Sequence, residues 1–257
     1  MAVPVYEIYA LKYAGPLVWP ACMVRWFQDL DRTTAIHYYL FAIRCEAETV
    51  VVDCGCTPAL ARARGLPGYV NPVQVLRRID IDARKVENLI VSHIHFDHVG
   101  GISLFPGATV HVQEREYGFW MEDPMARRAP FLQATDPAAN RYLRKLKGTQ
   151  RLNLVRGERK MMPGIELVPA PGHTVGLQAV AVNTRRGTAV IKSDAAHVFS
   201  SYRTDIPSAI ITDMIAWMKS YDRLRAKASS VDLLFPGHDP ALLTEFPKVA
   251  EDVTRLA

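Results

Sequence analysis

Four side chains of the types that bind borderline divalent metals fall within six positions of one another: His93, His95, Asp97 and His98, in the run Ser92–Gly101 (SHIHFDHVGG). Imidazole nitrogen and carboxylate oxygen are the donors that zinc and its neighbours prefer. In extended chain, residues two apart share a face, so His93 and His95 can converge on one ion. Asp97 and His98 follow, where the chain turns towards Gly100-Gly101, and can face a second ion close by. A lone histidine here would more often be a hydrogen-bonded core residue. Four ligand-type residues behind the apolar run Leu89–Val91 are hard to explain by packing alone. Three further candidates stand on Gly turns or strand ends: His173 in Pro171-Gly172-His173-Thr174, Asp194 after Ser193, and His238 in Pro236-Gly237-His238-Asp239. Each is weak alone; in this order they form a joint signal.

The elements that must hold these residues are short β-rich runs alternating with amphipathic ones. Strands are expected at Val3–Leu11, Ile36–Arg44, Thr49–Val52, Asn88–Val91, Thr109–Val112, Ile165–Val168, Gln178–Val182, Ala189–Lys192 and Leu233–Phe235. Helices are expected at Pro72–Arg78, Glu114–Met121, Pro137–Lys147, Ile210–Lys227 and Phe246–Leu256. Strands mixed with flanking helices read as an α/β layered domain, with its site on loops at the strand ends.

Composition narrows the classes. With 257 residues, 49% apolar and 22% charged, the chain reads as one globular domain over 1–257, not a disordered, collagen-like or coiled-coil protein. Four cysteines in irregular spacing make no disulfide framework, and the start (MAVPVYEIYA) does not resemble a signal peptide. No run of about 18 apolar residues occurs, so no membrane span is expected and a cytoplasmic location is. The net charge of +5 is concentrated: residues 141–160 hold eight basic side chains against Glu158 alone, which leaves the remainder near −2. This stretch reads as a single basic helix with Leu143 and Leu146 on its other face. A solvated surface is the favoured reading, and nucleic acid is disfavoured as a partner.

The motifs Val51–Gly55 (VVDCG), Ser92–Gly101 (SHIHFDHVGG), Val112–Tyr117 (VQEREY), Pro163–Gln178 (PGIELVPAPGHTVGLQ), Ser193–Ala196 (SDAA) and Pro236–Asp239 (PGHD) together resemble the metallo-β-lactamase superfamily, and within it the N-acyl-homoserine lactonase branch. The resemblance spans nearly the whole chain. It implies an αβ/βα sandwich of two mixed β-sheets packed face to face and flanked by helices. It also implies two divalent metal ions, zinc first, with manganese, iron or cobalt as alternatives. One ion would be held by His93, His95 and His173, the other by Asp97, His98 and His238, with Asp194 bridging and Asp53 orienting ligands from behind. Within the superfamily, zinc β-lactamases of the commonest type carry Cys where this chain has Asp194. Flavodiiron proteins carry Glu where it has His95. Glyoxalase-II-like thioesterases add a helical C-terminal domain, and only 19 residues follow His238. The nucleic-acid-cleaving members usually add an exosite arm or an inserted domain, which this length does not accommodate.

One departure stands out: the lactonases' Tyr three residues after the bridging Asp is His197 here. An imidazole can also donate a hydrogen bond to a substrate carbonyl, so the residue is a candidate for catalysis, with strand-end packing as the alternative. His37 and His111, inside expected strands, read as hydrogen-bonded structural residues, and Cys54 and Cys56 as small core filling. Residues 15–34 read as a long apolar connection (Leu17, Trp19, Met23, Trp26, Phe27) that walls an acyl chain or ring, with Phe119–Met121 and Phe131-Leu132 as a second wall. Either patch could instead form a homodimer interface. The expected activity is opening of a lactone or related ester with an apolar portion, with Asp97 shuttling a proton to the leaving oxygen. Three alternatives stay open: another cyclic or aromatic ester or amide as substrate, phosphodiester cleavage using the basic stretch, and a non-catalytic ligand sensor.

Overall fold

From Tyr38 to Ile43 every side chain is buried, because the strand that carries them has a core on each face. Tyr39, Phe41 and Ile43 share a cluster with Ile8, Leu167, Val180 and Val190, while Tyr38, Leu40 and Ala42 join another with Leu76, Phe105 and Leu143. The two-residue strand period divides one apolar run between two layers. In the computed structural model, which describes residues 3–257, the strands are β1 (Glu7–Pro20), β2 (Thr33–Arg44), β3 (Thr49–Val52), β4 (Asn88–Ile90), β5 (Thr109–Gln113), β6 (Leu152–Val155), β7 (Arg159–Met162), β8 (Ile165–Pro169), β9 (Gln178–Thr184), β10 (Gly187–Ser193), β11 (Leu234–Pro236), β12 (Lys248–Ala250) and β13 (Val253–Arg255). They form an eight-stranded sheet in the order β12-β13-β1-β2-β3-β4-β5-β6 and a five-stranded sheet in the order β11-β10-β9-β8-β7. β3 to β6 run parallel, as do β10 and β11, and the other pairs are antiparallel. Helices flank both sheets: Met214–Lys227, capped by Asp213, packs on β10, and Glu114–Glu122 packs on β5. The expected two-sheet sandwich is the fold.

Three expected elements are corrected. β1 runs to Pro20 rather than stopping at Leu11, because its ladder with β2 continues through register shifts around Ala14 and past Gly15-Pro16. The long connection 15–34 therefore shrinks to 21–32. The expected C-terminal helix Phe246–Leu256 is a hairpin, β12-β13, that pairs with the open edge of β1 (Tyr9 opposite Arg255, Leu11 opposite Val253). Edge pairing and burial of Val253 and Leu256 override the helical spacing, and Asp252 turns the hairpin at φ 55°. The basic stretch is not one helix either. The helix spans Pro137–Leu146, Gly148 breaks the chain at φ 78°, and β6 and β7 follow in different sheets. Its charges scatter: Arg144 donates to Met121 O, Lys147 pairs with Glu122, Arg151 donates to Ala108 O and Arg156 pairs with Glu114.

Candidate metal centre

The candidate ligands come together at one edge of the sandwich, each where a strand ends. Beyond β4 the chain stays extended through His93 to His95, then enters a short helix, Phe96–Val99, that carries Asp97 and His98. His173 lies on the turn between β8 and β9, Asp194 directly follows β10, and His238 follows β11. All seven side chains are buried. Two glycines make the approach possible. A Cβ on Gly237 would stand 2.4 Å from Asp194 Oδ1, and one on Gly172 (φ 143°) would stand 2.3 Å from Trp217 Cβ.

Four of the imidazoles are aimed from behind. Asp53, in left-handed backbone at φ 60°, accepts from Ser92 N at 2.7 Å through Oδ1. Its Oδ2 accepts from Ser92 Oγ at 2.8 Å, Ser193 Oγ at 3.1 Å and His98 Nδ1 at 2.8 Å. The Ser92 hydroxyl proton being committed to Asp53, His93 Nδ1–H donates to Ser92 Oγ at 3.0 Å. His173 Nδ1–H donates to Ile210 O at 2.9 Å and His238 Nδ1–H to His37 O at 2.7 Å. These partners fix the tautomer and leave the Nε2 lone pairs of His93, His98, His173 and His238 facing inward. Asp53 thus sits behind His98 and the start of the histidine loop.

The inward atoms form four overlapping groups, two of which contain Asp194: His93, His98 and Asp194 in one, His173, Asp194 and His197 in the other. His93, His95 and His173 each bring one donor atom within 4.8 Å of the others, and so do Asp97, His98 and His238. Asp194 Oδ1 lies 3.2 Å from His98 Nε2 and 3.0 Å from His238 Nε2, while Oδ2 lies 3.4 Å from His173 Nε2 and 3.9 Å from His93 Nε2. Asp97 Oδ2 is 3.4 Å from His98 Nε2 and 3.6 Å from His238 Nε2.

The donor set fits divalent cations. His93 Nε2, His98 Nε2 and Asp194 Oδ1 are buried with no hydrogen-bond partner among the described residues. His173 Nε2 and His95 Nδ1 face each other at 3.0 Å, an arrangement suited to a shared cation. Burial pushes His93, His95 and His173 below the usual imidazole range, so they are neutral donors. For Asp97, burial is outweighed by His98 and His238, which hold it at about 2. For His98 and His238, burial is outweighed by Asp194, which raises both. The carboxylates draw positive charge into a dry site, and an unpaired buried charge is costly.

His197 belongs to the same cluster. Its Nε2 is 3.5 Å from Asp194 Oδ2, its ring stands 5.2 Å from His173 and 5.1 Å from His238, and Nδ1 has no partner among the described residues. Burial lowers it to about 3, so it is a neutral imidazole. His37 and His111 stay outside: His37 Nδ1 meets Tyr39 Oη at 3.1 Å, and His111 is held between Asn88 and Asn153. Cys54 and Cys56 are buried core residues, as expected.

A cavity of about 420 Å³ opens over the centre, with His95, Asp97, Asp194, His197 and His238 on its floor. Leu17, Trp19 and Met23 form one wall. Trp26 and Phe27, expected there, instead pack edge-on against each other at 5.4 Å and are exposed. The second wall is Phe96, Pro130 and Ala134 rather than Phe119–Met121. Trp120 is buried behind His95, ring to ring at 5.6 Å, and Phe119 and Phe131 pack against it. Leu132 is exposed. Two residues of the site were not singled out from sequence. Tyr38 of β2 lines the cavity with its ring 5.3 Å from His238; burial and the carboxylates of Asp97 and Asp194 push its phenol upward. Glu116, within the VQEREY motif, is fully buried beneath the histidine loop. The motif was the only signal for Glu116, and Tyr38 had none.

The profile of the metallo-beta-lactamase superfamily matches residues 34–238. An N-acyl homoserine lactonase of Bacillus thuringiensis is 24% identical over 217 residues, covering 78% of this chain and 80% of the relative. The solved structure of an N-acyl homoserine lactone hydrolase, with N-hexanoyl-L-homoserine bound at its catalytic metal centre, superposes at a TM-score of 0.78 with 20% identity, covering 97% of this chain and 98% of that one. A dizinc quorum-quenching lactonase superposes at 0.73 with 15% identity, covering 93% and 90%.

Proposed function

The chain belongs to the metallo-beta-lactamase superfamily, and from that premise we propose that it is a metal-dependent hydrolase that opens N-acyl homoserine lactones or closely related esters, as a single domain over 1–257. One observation carries the reading: Asp194 reaches, with its two oxygens, two groups of imidazoles at the floor of an apolar-walled cavity. His93, His95 and His173 would hold one ion, Asp97, His98 and His238 the other, and Asp194 would bridge them. Zinc is the proposed metal, on a donor set of imidazoles and carboxylates and on the dizinc relative.

Two such ions, held by these seven residues, would supply water activation at neutral pH and polarisation of the substrate carbonyl. The chain's own residues do the rest. Asp194 fixes the spacing of the two groups. Asp97, at the cavity floor, carries the water's proton to the leaving oxygen as the ring C–O bond breaks. His197 points a ring N–H at the carbonyl oxygen as charge develops there. Leu17, Trp19 and Met23 hold the acyl chain and keep water out. Splitting of the basic stretch between two sheets, with Lys147 and Arg156 paired to Glu122 and Glu114, counts against phosphodiester cleavage. Four unpaired cysteines suit a reducing, cytoplasmic setting, and exposed Trp26, Phe27 and Leu30 mark where a homodimer contact would form.

The deciding experiment is metal-dependent turnover on N-acyl homoserine lactones, aryl esters and bis(p-nitrophenyl) phosphate. Lactone opening should be fastest and should disappear on chelation. In the same assay His197→Ala should lose ~10²–10³-fold in kcat with both ions retained. Phosphodiester turnover above lactone turnover would overturn the reading.

A further inference from the structure

We propose that Tyr38 is a substrate-contacting catalytic residue, its phenol hydrogen-bonding the leaving oxygen beside Asp97. The inference rests on the hydrolase reading above. Tyr38 is 5% exposed, yet its hydroxyl finds no hydrogen-bond partner among the described residues, and the side chain lines the cavity. Buried phenols usually have a partner, so a hydroxyl left open to a cavity is available for a ligand. Among the other polar groups on the cavity wall, Arg64 is engaged elsewhere, donating to Gln133 O at 2.8 Å and Thr135 O at 2.9 Å, and His197 is the residue assigned to the carbonyl oxygen. Tyr13, behind Tyr38 at 6.0 Å ring to ring, spends its own hydroxyl on Asp97 O at 2.7 Å.

Position sets the role. The Tyr38 ring stands perpendicular to His238 at 5.3 Å, which places it over the half of the centre that holds Asp97, His98 and His238. Asp97 is the group able to return a proton, and the atom that needs one is the oxygen expelled from the ester. In the step, water oxygen bonds to the acyl carbon, the ring C–O bond breaks, and the water's proton passes through Asp97 to the leaving oxygen. Tyr38 keeps its own proton and stabilises the developing alkoxide by hydrogen bonding. The contribution should therefore depend on how much charge the leaving oxygen carries. An alkoxide leaving group needs the contact, whereas p-nitrophenolate does not.

Tyr38→Phe removes the hydroxyl and keeps the ring. With metal content and circular dichroism unchanged, it should lower kcat on a lactone by ~10–10²-fold and leave kcat on the matching p-nitrophenyl ester within about threefold. It should also weaken equilibrium binding of the ring-opened N-acyl homoserine, whose alcohol oxygen is the former leaving group, by several-fold. Equal losses on both substrates would assign Tyr38 to pocket shape, and no loss on either would make it a bystander; both results overturn the proposal. Should the wild type cleave esters but open no lactone, the lactonase reading fails. Alkyl and aryl esters of the acid it does accept would then decide Tyr38 by the same ratio. Product binding unchanged by the substitution would count against Tyr38 whether or not turnover is seen.

Discussion

Glu116 and Asp194 are both buried carboxylates within the same edge of the sandwich, and only one of them is complete. Glu116 Oε1 accepts from Ile94 N at 2.9 Å and Trp120 Nε1 at 2.6 Å, and Oε2 from Thr174 Oγ1 at 2.9 Å and Gly176 N at 2.8 Å. Burial raises its carboxyl, and these donors pull against the rise. The four donors tie the loop of His93 and His95 to the turn of His173, so Glu116 aligns two ligand-bearing segments without touching the cavity. Asp194 has no such shell. Its neighbours are the ring nitrogens of other candidate ligands: His238 Nε2 meets Oδ2 at 3.2 Å, while Oδ1 lacks a hydrogen bond. A carboxylate satisfied by backbone and side-chain donors acts as scaffold; one set among candidate ligands has the surroundings a bridging carboxylate would need.

The sharpest way to break this contrast is to make Asp194 neutral. Asp194→Asn should lower turnover by at least ~10³-fold and reduce the metals retained from two towards one, as measured by metal analysis. The metal-free variant should unfold below the wild-type temperature, because in the metal-free protein Asp194 offsets the charge that it draws onto His98 and His238. Near-normal activity would move the bridge elsewhere. A variant that fails to fold would put Asp194 in the same class as Glu116.

The complementary substitution acts on stability first. Glu116→Gln places an amide NH2 against two of the four donors, leaving them unpaired and a hydrogen-bond set broken. The expected loss is about 2–4 kcal/mol, which for a chain of this size lowers Tm by about 2–4 °C per kcal/mol. Metal affinity should fall with it, since His93, His95 and His173 lose their common tie. A loss of activity at wild-type Tm would make Glu116 part of the chemistry and erase the distinction.

The two carboxylates also differ in how much of their role could be read from sequence. The candidate ligands were legible because ligand chemistry restricts residue type: His93, His95, Asp97 and His98 crowd one strand end, and His173, Asp194 and His238 each follow a strand or Gly turn. Glu116 was visible only as a letter in a motif, because its four donors come from three separate segments that only the fold assembles. Tyr38 was hidden for a related reason. In an unbroken apolar run such as Tyr38–Ile43, nothing local says which face meets the cavity. The α/β layering followed from the alternation of strands and helices, and the two-sheet sandwich from the motifs that resemble the metallo-β-lactamase superfamily. The extent of β1 and the nature of the C-terminal segment did not, because both are decided by pairing with a distant edge. Phe246–Leu256 carries helix-like apolar spacing, but β1 offers it a row of open backbone groups.

Asp252 gives the smallest and most quantitative check, as a complete carboxylate near the surface. It turns the β12-β13 hairpin and meets Lys12 Nζ at 2.7 Å and Arg78 Nη1 at 2.8 Å. Burial alone would raise its carboxyl, but the hydrogen bonds from Lys12 and Arg78 outweigh burial and lower it. A folded-state pKa below the unfolded value means the stabilisation is fully present above the unfolded value, ~3.9, and is lost as pH falls through the folded one. Asp252→Asn suits the test, because Asn tolerates the positive φ of 55° and the change removes only the charge. With side chains 17% to 23% exposed, the loss should be about 0.5–1 kcal/mol in urea unfolding at neutral pH, smaller in high salt. The difference between the two proteins should be flat from about pH 8 to pH 5 and shrink below about pH 4. A difference that grows on acidification would mean the carboxylate is held by its hairpin backbone and not by the two cations. Completeness would then be a matter of local geometry, and Glu116 would need to be re-examined on the same ground.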